Sequence, residues 1–201
     1  MTTINNILLL YPRSNEQKDF RFGFSYNWAH IATILHNVGH CVILHDYSVE
    51  DFSEESFLNE IANKKIDIAI IEFDTCSLRR SENYIHGHEI IKLLSTQFPQ
   101  CKIIAYGDYC SITGKNIPFA SHTIKQDYIN GILLHFACEP VCSFDELPFI
   151  NRKLLQEQIP FYKHNAYATM IYTTLGCENS CAFCHRHAFR QEYIVHCDNY
   201  V

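Results

Sequence analysis

The chain has 201 residues, 47% of them hydrophobic, and carries a formal net charge of −6 with an isoelectric point near 6.0. That length suits one full domain and part of another, and the acidic balance argues against a nucleic-acid binder that works through a basic surface. No cationic stretch followed by a long apolar run opens the sequence, and no run reaches the ~20 apolar residues that span a bilayer, so a soluble, cytoplasmic protein is expected.

Taken in chain order, residues 1–137 alternate strand and helix signals. Ile7 to Tyr11 is an apolar run closed by Pro12 and reads as a buried strand. Trp28, Ile31, Ala32, Leu35 and Val38 recur at helical spacing, with Gly39 as the stop. Cys41 to His45 reads as a second strand, and Phe57, Leu58 and Ile61 mark a short helix. Ile66 to Phe73 is a β-branched third strand. The helix that follows carries Ile85, Ile90, Ile91, Leu93 and Leu94 and ends at Phe98-Pro99. Cys101 to Tyr106 forms the fourth strand, Ser121 to Ile124 a weak fifth, and Tyr128 to Phe136 a last helix. Strands alternating with helices imply parallel pairing with helices on both faces. The expected fold is α/β, a doubly wound flavodoxin/Rossmann-like parallel sheet over 1–137, followed by a polar linker at 138–166.

Such sheets bind ligands beyond the carboxyl ends of their strands. The loops there are Pro12 to Phe24, which gathers Phe20, Phe22, Gly23, Phe24 and Tyr26 together, then Asp74 to Ser81 and Gly107 to Pro118. No G-x-G-x-x-G follows the first strand and no G-x-x-x-x-G-K-[ST] occurs anywhere, which excludes the usual dinucleotide and phosphate-loop fingerprints. The pair His86 and His88 resembles a metal motif, but alternate helical residues do not face one another, so a solvated helix face is expected there.

Ten cysteines make up about 5% of the chain, below the density of a disulfide scaffold. Cys41 and Cys101 lie in apolar runs and read as small core residues. Cys76 and Cys110 fall near strand-end loops where a ligand could meet them. Cys138 and Cys142 sit in the linker with no chemical role expected. The remaining cluster is distinctive: Cys177, Cys181 and Cys184 are spaced C-x3-C-x2-C, after the β-like run Ala168 to Tyr172 and the segment Thr173-Thr174-Leu175-Gly176. Three thiolates on one tight loop can hold three irons of a [4Fe–4S] cluster and leave the fourth open, whereas electron-transfer clusters use four. A structural zinc site completed by His185, His187 or Cys197 is the alternative.

This segment resembles the radical S-adenosylmethionine (SAM) superfamily, in which C-x3-C-x2-C follows the first strand of a β/α barrel. The resemblance implies that Cys177, Cys181 and Cys184 ligate the cluster, that SAM chelates the open iron, and that Phe183 packs near the SAM adenine. Residues 167–201 would then be the first strand and cluster loop of that barrel. A Rossmann-like domain directly before the motif, joined through Glu146-Leu147-Pro148-Phe149-Ile150-Asn151-Arg152, resembles the cobalamin (vitamin B12)-binding-domain subfamily. In that subfamily Thr75, Gly107 and Asp108 would line the corrin. The D-x-H-x-x-G motif that supplies histidine to cobalt elsewhere is absent, so a degenerate domain that binds nothing stays open.

The implied activity is reductive cleavage of SAM to a 5′-deoxyadenosyl radical for methyl transfer or related chemistry. Its partners would be a small-molecule substrate and a reductant such as flavodoxin or ferredoxin, with no nucleic acid and no membrane. A full β/α barrel takes roughly 200 residues or more, so the chain is expected to be incomplete and inactive alone: a fragment, a frameshifted remnant or one part of a split enzyme. The competing expectation is a non-catalytic Rossmann-like module with a zinc-stabilised tail.

Overall fold

A computed structural model of the chain describes residues 4–13, 24–74, 81–136, 138–164, 174–175 and 194–195. Five strands, β1 (Asn6–Tyr11), β2 (Cys41–Asp46), β3 (Ile68–Glu72), β4 (Lys102–Tyr106) and β5 (His122–Ile124), form one sheet in the order β2-β1-β3-β4-β5. All four pairings are parallel. This is the flavodoxin-like order expected from the sequence, and its direction reverses between β1 and β3.

The strands read as continuous apolar runs because both faces are covered. Alternate side chains serve two cores. Ile7, Leu9, Tyr11, Ile70, Ile104 and Tyr106 face one side with helices α1 (Tyr26–Asn37) and α5 (Tyr128–Leu133). Leu8, Leu10, Ala69, Ile71, Ile103 and Ala105 face the other with α2 (Glu54–Lys64) and α3 (Ser81–Gln97). Helix α1 starts at Ser25, whose hydroxyl accepts from the Trp28 amide, and α2 starts at Ser53, which accepts from Ser56 in the same way. Side-chain oxygens at these positions satisfy amides that the first helical turn leaves unpaired.

Three short α-helices lie where loops or linker were expected. A six-residue helix, α4 (Asp108–Thr113), occupies much of the loop after β4. Beyond residue 138 come α6 (Arg152–Gln158) and α7 (Pro160–His164), and their buried Leu154, Leu155, Ile159 and Tyr162 belong to the same core as α1 and β1. Asn151 caps α6 through the Leu154 amide, and its own amide donates to Thr33 Oγ1 of α1 at 2.9 Å. Gln158 lies along the outer edge of β2: its Oε1 accepts from the Leu44 amide and its Nε2 donates to the Val42 carbonyl, each at 2.9 Å. The side-chain amide thus copies the pairing a sixth strand would make there, and an edge so covered is closed to further pairing.

Two short strands, β6 (Thr174–Leu175) and β7 (Ile194–Val195), pair antiparallel. The expected strand at 168–172 lies outside the described residues. No helix among the described residues is long and apolar enough to cross a membrane.

Candidate functional site at the carboxyl edge

The carboxyl ends of β1, β3 and β4 bring together Tyr11, Glu72 and Tyr106, with Asp74 and Asp108 just beyond. Glu72 is the last residue of β3 and is paired in register with Tyr106 of β4. It follows Ile68 and Ile70 at period two, so its carboxyl enters the α1 side of the sheet, where it is 6% exposed. The Tyr106 hydroxyl donates to Glu72 Oε2 at 2.8 Å, and the Ser25 hydroxyl lies 2.8 Å from Oε1 and 2.7 Å from Oε2. Burial, and then the charges of Asp74 and Asp108, push this carboxyl up to about 8 against the opposing effect of those hydrogen bonds. The shift favours the uncharged acid at neutral pH.

Around it stand further hydroxyls and carboxylates. Tyr11 donates to Asp74 Oδ2 at 2.9 Å, and Tyr128 of α5 donates to Asp108 Oδ1 at 3.2 Å while lying 2.6 Å from Ser111 Oγ. Burial drives the phenols of Tyr106 and Tyr128 well above the usual tyrosine range, so they are hydrogen-bond donors rather than bases.

On the far side of the switch point, α3 is fastened to the loop after β1. Asn83, fully buried, accepts from the Asp74 amide at 2.9 Å and donates to the Pro12 carbonyl at 3.4 Å. His86 Nδ1 accepts from the Arg13 amide at 2.9 Å. Gly87 permits this approach, since a Cβ there would lie 2.8 Å from the Phe73 ring and 3.1 Å from Pro12.

His86 was expected on a solvated face and is instead 7% exposed, against the rings of Phe52 and Tyr47. Burial and then Arg13 lower it to about 4, so it is neutral. Because Nδ1 accepts, the ring proton sits on Nε2, and that nitrogen has no lone pair for a metal in this tautomer. Among the described residues no group of three or more His, Cys, Asp or Glu side chains could hold a metal ion.

Of the residues expected to line a corrin, Gly107 and Asp108 are at this edge and Thr75 lies outside the described residues. Gly107 has φ +119°, and a Cβ would lie 2.4 Å from the Phe73 carbonyl oxygen. Its identity is accounted for by the turn from β4 into α4. Asp108 opens α4 and is half-buried.

The cysteine expectations fare unevenly. Cys110 does not face a ligand: it is fully buried inside α4, and burial pushes its thiol up to about 12. Cys41 is exposed rather than a core residue, because it opens the edge strand β2. Cys101 is buried as expected, its thiol pushed up to about 11 by burial. Cys76, the ligand cysteines Cys177, Cys181 and Cys184, the SAM-contact residue Phe183, and the zinc alternatives His185, His187 and Cys197 lie outside the described residues. Glu72 went unnoticed in the sequence, although an acidic residue inside the apolar run Ile66 to Phe73 was a usable signal.

No family model matches the chain, and no curated protein is significantly similar to it. Among solved structures, one match is the radical S-adenosylmethionine methyltransferase TsrM from Kitasatospora setae, with tryptophan substrate and the SAM analogue aza-SAM bound. The TM-score is 0.40 at 14% sequence identity, over 54% of this chain. The chain spans about a fifth of the length of that protein, 20% of which is covered.

Proposed function

We propose that this chain is a radical SAM protein whose N-terminal sheet is a cobalamin-binding-like domain. The observation that carries the proposal is the C-x3-C-x2-C run of Cys177, Cys181 and Cys184, set in the same chain after a flavodoxin-order parallel sheet. Three thiolates that leave one iron open suit chemistry at the cluster, and such a cluster, when bound with SAM, supplies the electron for making a 5′-deoxyadenosyl radical. Phe183 would pack against the SAM adenine.

The carboxyl edge fits an amide-rich ligand. Asp74 and Asp108 are acceptors at its rim, and amide N–H groups of a corrin are donors that such carboxylates bind well. The sequence has no D-x-H-x-x-G to supply a histidine to cobalt, and the His86 lone pair is already engaged by the Arg13 amide. A small-molecule substrate and a flavodoxin- or ferredoxin-type reductant complete the scheme. A second reading, a binding module with a zinc-stabilised tail, draws on the nearness in sequence of His185, His187 and Cys197 to the three cysteines.

Anaerobic reconstitution of the 201-residue chain, followed by iron, sulfide and zinc analysis, separates the two. About four irons and four sulfides per chain, lost in each of Cys177→Ala, Cys181→Ala and Cys184→Ala, support the cluster. One tightly bound zinc without sulfide supports the module and rejects the cluster.

A further inference from the structure

We propose that Glu72 is a clasp that ties the loop entering α1 to the loop entering α4 across the switch point, and so is the positioning residue of the carboxyl-edge ligand site. One face of the carboxyl meets Ser25, the residue on which α1 begins. Its Oε2 also meets Tyr106, the residue directly before Gly107 and Asp108. Their backbones come from strands on opposite sides of β3.

The geometry around Ser25 accommodates a proton on the acid. Its single hydroxyl proton cannot serve Oε1 and Oε2 fully at 2.8 and 2.7 Å. With the acid protonated, Oε1–H donates to Ser25 Oγ while the Ser25 hydroxyl donates to Oε2, which also accepts from Tyr106. The titratable groups facing the carboxyl are Asp74 beyond β3, Tyr106 of β4, Asp108 of α4 and Tyr128 of α5, with Tyr11 of β1 next to Tyr106. Both carboxylates among them oppose ionisation of Glu72, which agrees with its position near 8. Ionisation strengthens the hydrogen bonds from Ser25 and Tyr106 but adds a charge in a buried place facing Asp74 and Asp108. Burial and repulsion outweigh the hydrogen bonds, so the closed clasp loses free energy relative to an opened, solvated one as pH rises through that value.

The part of this inference that concerns a ligand rests on the cobalamin reading; the clasp itself does not. Two measurements on the full chain keep them apart. The first is backbone hydrogen exchange at pH 6.5 and 9, corrected for intrinsic rates, for wild type, Glu72→Gln and Glu72→Ala. In wild type, amides of residues 26–30 and 108–113 should lose protection together by roughly tenfold or more at pH 9. Glu72→Gln should hold them equally at both pH values. Glu72→Ala should exchange fast at both, with the amides of β1 and β3 unchanged. The second is methylcobalamin binding, a probe whose own axial ligand does not titrate in this range. Wild type should bind at pH 6.5 and weaken about tenfold or more at pH 9, while Glu72→Gln should show no pH dependence. If exchange behaves as expected but methylcobalamin does not bind at either pH, the clasp stands and the cobalamin reading falls. Should wild type and Glu72→Gln show the same exchange at both pH values, the clasp is overturned whatever binds; if Glu72→Ala does not fold, that comparison alone decides.

Discussion

Replacing Gln158 with leucine removes the side chain that pairs with Val42 and Leu44 on the outer edge of β2 and leaves side-chain volume nearly the same. The Leu44 amide and the Val42 carbonyl each lose a partner at 2.9 Å, on residues that are 2% and 6% exposed. An unpaired buried backbone group costs about 1–3 kcal/mol, so two would cost roughly 2–6 kcal/mol in a dry site. Gln158 is only half-buried, and water can reach part of the gap, which brings the expectation down to about 2 kcal/mol. For a protein of this size that corresponds to a fall in Tm of roughly 4–8 °C. Urea denaturation measures the loss, and hydrogen exchange at the Leu44 amide locates it, since that proton should become unprotected while the β1 amides stay slow. Gln158→Glu is the informative companion. Its carboxylate can accept from Leu44 but sets negative charge against the Val42 carbonyl, so it should be as unstable as the leucine variant at pH 7. Protonation restores a donor, and the deficit should shrink below about pH 4.5. A leucine variant with the wild-type midpoint and a still-protected Leu44 amide would refute the reasoning.

Three other outcomes are expected. Gly107→Ala forces a Cβ to 2.4 Å from the Phe73 carbonyl at φ +119°, so the urea midpoint should fall by several kcal/mol equivalent or the protein should fail to fold; a near-native midpoint would contradict the packing described. At His45, burial favours the neutral ring, but hydrogen bonds to Glu50 and Glu60 outweigh it and raise the group to about 9. The resulting stability is fully present below the ordinary imidazole value of 6.5 and is lost as pH rises through about 9. The stability difference between wild type and His45→Gln should therefore shrink over that window, and a constant difference would rule the assignment out. Maleimide labelling mapped by mass spectrometry should modify Cys41 and Cys142 in the folded protein but reach Cys101 and Cys110 only on unfolding; prompt labelling of Cys110 would show that α4 opens.

The sheet was legible because its strands are buried on both faces and so read as unbroken apolar runs, from Ile7 to Leu10 and from Ile68 to Ile71. Helices with a long apolar stripe, such as the one through Trp28, Ile31 and Leu35, were legible for the same reason. What escaped were short helices whose apolar residues are few. In α6 only Leu154 and Leu155 are buried, too little periodicity to separate a docked helix from a polar linker, although Asn151 as a cap was visible. The acidic centre of the candidate site escaped because burial of Glu72 depends on Ser25 and Tyr106, which are 47 and 34 residues away in sequence. The exposure of Cys41 turns on β2 being an edge strand, a fact of strand order rather than of local composition. Conversely, the cysteine spacing at 177–184 is a local signal and was read from sequence alone.

The seal on β2 also has a consequence for biosynthesis. Leu44 and Gln158 are 114 residues apart in the chain, so β2 is made long before the residue that closes its edge. At roughly 5–20 residues per second of translation, the interval is about 6–23 s. Through that time a nascent chain with β1 and β2 already paired presents an open apolar strand, Val42 to Leu44, to any other extended segment. Translation pauses between residues 46 and 158 should therefore favour aggregation.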